Sequence, residues 1–238
     1  MKRITLWLAV SLTTFALGIA ASVVYLSRSA SNSLPPPPAI QHDTPAATAC
    51  FPGLSRTVET LDTPSYFPRG AFYPTHEHEK FVVEWYSKHL KAMGEPSLLS
   101  QPDSPSESYR FLWLRSFHHP VAVRVWASCD GHFISVKQTN GQGGYQPGRV
   151  IIDQTHQLTD AEWDHFINLL DRSCYWQLPT EIDDMGFDGA QWILEGVKEE
   201  RYHVVDRWTP ESGDFREVCL YLLKISNLPI DLSGKDIY

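Results

Sequence analysis

An uncharged run over residues 4–26, entered by Lys2 and Arg3 and closed by Ser27 and Arg28, constrains this chain more than any other feature. At about 1.5 Å per residue the run makes a helix of roughly 35 Å, longer than a hydrocarbon core of about 30 Å. Two readings follow. As an uncleaved signal anchor, the run keeps its positive end in the cytoplasm and places everything after it outside. As a signal peptide, residues 4–17 are its apolar heart, with cleavage at Gly18-Ile19-Ala20 or Ala20-Ala21-Ser22. Val23-Val24-Tyr25-Leu26 stays apolar past either site, which favours the anchor. Both readings export the rest of the chain. The expected organisation is a signal anchor or signal peptide over residues 1–28, a Pro/Ser-rich linker over 29–49, and one exported domain over 50–238. The expected location is the inner membrane, crossed once, with the C-terminal domain in the periplasm, or secretion if the signal is cleaved. In the linker, Pro35 to Pro38 impose polyproline II geometry, a semi-rigid spacer. Ala47-Thr48-Ala49 before Cys50 lacks the leucine-led context of a lipidated cysteine.

Charge narrows the partners. Lys2, Arg3 and Arg28 are the only charged residues before position 29, leaving 17 of the 20 Lys+Arg against all 28 Asp+Glu in the remainder. A body this acidic repels phosphate backbones, so no nucleic-acid partner is expected. With 12% aromatic residues and 8 Trp, all but Trp7 after the apolar run, the chain carries enough apolar surface for a packed core.

Within that body the periodicity is clear. Residues 75–93 read as a helix capped by Thr75, with Glu77 and Glu79 in the first turn, and Phe81, Val82, Trp85, Tyr86, His89, Leu90 and Met93 on one face. Gly94 and Pro96 end it. Residues 109–116, 121–128 and 132–139 read as strands, and 149–153 as a shorter one after a glycine-rich loop. Thr159-Asp160-Ala161-Glu162 is a capping box opening a second helix. Residues 190–197 and 202–208 form a hairpin, and 215–226 a third helix. This order predicts an α+β fold, an antiparallel sheet of about five or six strands with helices packed on one side.

Candidate chemistry is sparse. Four cysteines in an exported chain make disulfides plausible, and Cys174–Cys219 with Cys50–Cys129 is the first pairing to expect. His76 and His78 diverge by about 200° on a helix, and no HExxH spacing occurs, so no metal site is expected. His118-His119 reads as a turn. GxSxG, SxxK and the phosphate-loop patterns are absent, and no cofactor is implied. Gly141, Gly143, Gly144 and Gly148 read as a flexible loop using positive φ. Asp183, Asp184 and Asp188 are clustered, but Met185 and Phe187 interrupt them and no Glu closes a calcium loop.

The hairpin carries the most side-chain chemistry. If Val197 faces Tyr202, one face presents Trp192, Leu194, His203, Val205 and Arg207, with Arg207 stacked on Trp192. Gly196 would leave space for the imidazole or a ligand. Trp192, Glu195, His203, Arg207 and Asp188 are therefore the candidate binding residues.

Asp188-Gly189-Ala190-Gln191-Trp192-Ile193-Leu194-Glu195-Gly196, followed by Tyr202-His203-Val204-Val205 and Arg207-Trp208-Thr209-Pro210, resembles a pattern of uncharacterised bacterial exported or envelope proteins that read DGxxWxLEG and then YHxVxRWSP. Gly144-Tyr145, Pro147-Gly148 and the stretch from Tyr175 through Trp176, Gln177 and Leu178 to Pro179 extend the resemblance, which covers residues 109–226. Thr209 departs from the usual Ser, and Glu199-Glu200-Arg201 lacks the usual turn glycine. The resemblance implies a bacterial source and a single domain. No activity is established for those proteins, so no catalytic residue carries over.

Two functional classes are expected. The first is a membrane-anchored, non-enzymatic domain that binds an envelope protein or small ligand through its sheet or hairpin face. The alternative is an envelope hydrolase or transferase with Glu195, His203 and Asp188 as acid/base groups. An enzyme needs two of them in one pocket, and strand alternation places Glu195 and His203 on opposite faces.

Overall fold

The computed structural model describes residues 65–72, 75–99, 107–182, 186, 188–199, 201–232 and 237–238. The apolar run, the linker, Cys50, Asp183 and Asp184 lie outside the described residues. Among those described, no helix is long and apolar enough to cross a membrane.

The elements are α1 (His76–Ala92), β1 (Glu107–Arg115), β2 (Val121–Ser128), β3 (Gly131–Thr139), β4 (Val150–Leu158), α2 (Asp160–Arg172), a 3-10 turn (Tyr175–Gln177), β5 (Ala190–Lys198), β6 (Arg201–Trp208) and α3 (Asp214–Ile225). The strands form one six-stranded sheet in the order β4-β3-β2-β1-β5-β6, and every neighbouring pair is antiparallel. The α+β class and the strand number match the expectation.

Local chemistry explains the ends. Thr75 accepts a hydrogen bond from the His78 N–H (3.1 Å) and opens α1. Gly94, at φ 64°, lets the Glu95 N–H return to the Leu90 carbonyl and close the helix. At α2 the capping box is complete: the Glu162 N–H donates to Thr159 Oγ1 (3.2 Å) and the Thr159 N–H to Glu162 Oε2 (2.8 Å). Those bonds hold the Glu162 carboxyl below its ordinary range.

The helices do not share one side of the sheet. Tyr109, Phe111, Trp113, Trp192, Leu194 and Val205 pack under α2 and α3, with Phe166, Val218 and Leu222. Leu112, Leu114, Ile193 and Val204 point the other way and pack under α1, with Val82, Tyr86 and Leu90. Adjacent strand residues face opposite sides, so α1 covers the face that the one-sided arrangement would leave wet. This corrects the expected layering. Its cause is visible in β1 and β5, where Phe111-Leu112-Trp113-Leu114 and Trp192-Ile193-Leu194 are apolar without alternation, as in strands buried on both faces.

β4 also differs. It runs to Leu158, beyond the expected end at 153, because its polar stretch still pairs through the backbone with β3. The hairpin register is the expected one, with Trp192 opposite Arg207, Leu194 opposite Val205 and Gly196 opposite His203.

The Cys174–Cys219 bridge is not formed. Cys219 is fully buried in α3 while Cys174 is exposed after α2, and both are free thiols. Burial pushes the Cys219 thiol well above its ordinary pKa. Cys129, in the turn between β2 and β3, is disulfide-bonded, and Cys50, its expected partner, lies outside the described residues.

Candidate functional site

Four of the five expected binding residues build the fold. Trp192 is fully buried, and its indole N–H donates to the Tyr238 carbonyl (3.1 Å). The cation over its ring is Arg216, 5.6 Å from the centroid, where Arg207 was expected. Arg207 instead lies over Phe215, at 5.7 Å. Its guanidinium donates to the carbonyls of Pro179 (2.9 Å), Thr180 (2.9 Å) and Asp206 (2.6 Å). The Asp206 N–H also bonds Thr180 (2.7 Å), so Arg207 clamps this segment along the outer edge of β6.

Glu195 is buried in an ion cluster on the α1 side. Its Oε1 accepts from Arg110 Nε (2.8 Å) and Nη2 (2.5 Å), and its Oε2 from the Tyr202 hydroxyl (3.2 Å). Glu95, just past α1, accepts from Arg110 Nη1 (3.4 Å) and Arg124 Nε (2.9 Å), with Lys137 Nζ 3.7 Å away. Lys137 also donates to the carbonyls just past α1, at Met93 (3.0 Å) and Gly94 (3.3 Å). Burial raises the Glu195 carboxyl, and the Arg110 guanidinium opposes that shift. The cluster fastens the end of α1 to the sheet.

His203 is on the opposite face of the hairpin, edge-on to Tyr175 (5.1 Å). Burial lowers its pKa. The space beside Gly196 is filled: a Cβ there would come 2.6 Å from Tyr109 Cδ1 and 3.1 Å from the Tyr175 hydroxyl. Glu195, His203 and Asp188 therefore stand in three separate places and form no acid/base pair.

Asp188 alone reaches a cavity. A cleft of about 570 Å3 lies between the first turns of α1 (His78, Phe81, Val82, Glu84, Trp85, Lys88), the end of β1 (Leu114, Ser116), the loop at Gly144 and Tyr145, and the hairpin base (Gly186, Asp188, Gln191, Trp208).

Glycines shape its walls. The Gly143 N–H donates to the carbonyls of Arg115 (3.0 Å) and His118 (3.1 Å), and a Cβ at Gly143 would fall 2.6 Å from the Arg115 oxygen. Gly143 also accepts from the Trp85 indole N–H (2.8 Å), which ties the loop to α1. Of the four loop glycines only Gly148 has positive φ, at 72°, so the other three serve close approach. The loop is laddered by Gly141 N–H to Pro147 (3.0 Å) and Gln142 N–H to Gln146 (2.9 Å), a built wall where a flexible loop was expected.

On the other side, Ser116 Oγ donates to the Gly189 carbonyl (3.1 Å) and accepts from its N–H (3.2 Å). A Cβ at Gly189 would sit 2.3 Å from Thr209 Oγ1 and 2.6 Å from the Trp208 ring. Thr209 Oγ1 accepts from the Ala190 N–H (2.9 Å), a bond that a serine hydroxyl would equally make.

The cleft holds polar side chains that the fold leaves to solvent. Among the described residues, the side chains of Lys88, Asp188 and Gln191 make no ion pair or hydrogen bond. Glu84 meets only Lys80, at 4.0 Å on the exposed face of α1. His78 pairs with Glu181 (2.9 Å). Phe81 is 63% exposed and Tyr145 55%, although the α1 periodicity placed Phe81 on the packed face. Behind them, His89 of α1 is fully buried, with the Gly143 backbone as its polar neighbour. Burial, helped by Lys88, lowers its pKa to about 4.

Sequence reasoning found Asp188 but missed Phe81, Lys88, Tyr145 and Trp208 as cleft residues. Gly144, Tyr145, Asp188 and Trp208 are far apart in sequence and converge here only through the fold. No three His, Cys, Asp or Glu side chains gather to hold a metal among the described residues. No protein-family model and no curated protein matches the chain.

Proposed function

We propose that this chain is a membrane-tethered binding domain of the bacterial envelope, and that its ligand seats in the cleft between α1 and the hairpin base. One observation carries the site: the exposed rings of Phe81 and Tyr145 share a cleft with Lys88, Asp188 and Gln191, whose side chains have no partner among the described residues. Concave apolar surface with a few convergent polar groups is what a ligand site requires. The residues of the bacterial pattern divide in a way that supports this reading. Trp192, Leu194 and Val205 build the core, and Gly144, Tyr145, Asp188 and Trp208 line the cleft.

The tether rests on the apolar run and the charges ahead of it, and export agrees with a disulfide at Cys129. Cys50 is its proposed partner, since Cys174 and Cys219 are free. A reporter fused after residue 50 that works only in the cytoplasm would overturn the topology. A mature form beginning near residue 21 or 23 would turn the anchor into a cleaved signal.

A ligand-observed NMR screen of neutral aromatic fragments tests the site. Hits are expected on the wild type and expected to vanish in Tyr145→Ala. Hits that survive unchanged in that variant would move the site elsewhere.

A further inference from the structure

The geometry points to a zwitterionic ligand, a short peptide with free termini whose ammonium meets Asp188, whose carboxylate meets Lys88, and whose apolar side chain lies among the rings of Phe81, Tyr145 and Trp208. The inference rests on the cleft being the binding site and adds what kind of molecule enters it.

The two charges come from different walls. Lys88 projects from α1, and Asp188 from the turn that leads into β5. Neither has a partner among the described residues, so each keeps its full capacity for a charge-assisted hydrogen bond. An anionic ligand would meet Lys88 but be opposed by Asp188 and Glu84. A cationic one would suit the carboxylates and the rings but be opposed by Lys88. A neutral ligand would displace water from both charges and offer neither a counter-charge. A molecule with one charge of each sign satisfies both walls. The rings then supply contact area that tolerates different side chains, because aromatic surface packs against any apolar group.

Size separates a peptide from a single amino acid. A volume of about 570 Å3 falls within the roughly 300–1,000 Å3 of sites that enclose drug-sized molecules. Gln191, on the β5 wall, offers both a donor and an acceptor to a peptide bond between the termini.

The test uses the full-length chain in detergent and three pools of the same tripeptides: free termini, N-acetylated and C-amidated. Calorimetry is expected to show the free pool binding, with each block weakening it about tenfold. Asp188→Asn should weaken the free pool about tenfold and leave the acetylated pool unchanged, because the ammonium is already gone. Lys88→Met should do the same to the free pool and leave the amidated pool unchanged. This is a double-mutant cycle with the ligand as one partner. Equal binding of free and blocked pools would overturn the inference. So would silence from all three pools while the neutral fragments still bind the wild type and not Tyr145→Ala, and the cleft reading would then survive. Fragment binding indifferent to Tyr145→Ala would overturn the cleft reading itself.

Discussion

Helix α1 borders two polar regions that look alike in composition and differ in what their side chains do. At its C-terminal end, Glu95, Arg110, Arg124, Lys137 and Glu195 form a buried cluster whose hydrogen bonds and ion pairs all lie within the fold. Along the flank of α1 from His78 to Lys88, the side chains of Lys88, Asp188 and Gln191 face an open cleft and have no partner among the described residues. Both regions draw on the hairpin and the turn before it. The difference teaches that density of charged and aromatic residues does not locate a binding site. The contrast lies in which polar groups the fold pairs with one another and which it leaves to solvent.

The largest test removes a member of the closed region. Glu195→Ala leaves Arg110 buried without its main counter-charge, and chemical denaturation should show a loss of about 3–5 kcal/mol. Asp188→Asn, in the open region, should change stability by no more than about 0.5 kcal/mol. A Glu195 loss below about 1 kcal/mol, the value of a surface pair, would erase the contrast.

Acid should act through α1 next. His89 titrates at about 4 when folded, against an ordinary 6.5, so the unfolded chain binds the proton first. Its contribution to stability is fully present above pH 6.5 and declines as pH falls towards 4, by about 3 kcal/mol in all. Denaturation midpoints followed across that window should flatten in His89→Leu, and an unaltered slope would assign the acid sensitivity to another group.

A smaller effect concerns the clamp on β6. Arg207→Lys cannot reach the Pro179, Thr180 and Asp206 carbonyls together, so a loss of about 1–2 kcal/mol is expected. Peptide binding should be unaffected, because Arg207 does not line the cleft. Weakened binding with unchanged stability would return Arg207 to the list of recognition residues.

The smallest change is Thr209→Ser, which keeps the hydroxyl that accepts from Ala190. Its melting temperature should match the wild type, within the about 0.5 kcal/mol typical of silent substitutions. A clear shift would mean that the Thr209 methyl, rather than its oxygen, shapes the hairpin base.

Much of the fold was legible because it is written in local chemistry. The Thr75 cap, the Thr159–Glu162 box and the hairpin register each depend on residues a few positions apart. The candidate site was legible only at Asp188. Arg207 was misread because its partners are backbone carbonyls at 179 and 180, which carry no side-chain signature. Trp192 was misread because the cation over its ring, Arg216, comes from α3 rather than from the facing strand.

The sequence alone determined the periodic elements, the pairing within the hairpin and the apolar content of β1 and β5, since each follows from the spacing of neighbouring side chains. Tertiary structure decided which face of the sheet α1 covers, because an amphipathic helix specifies its own apolar side but not the surface that receives it. It also decided which charges are satisfied. Glu195 and Asp188 are both carboxylates of one hairpin region, and only long-range packing closes Arg110 onto the first while leaving the second open to a cleft.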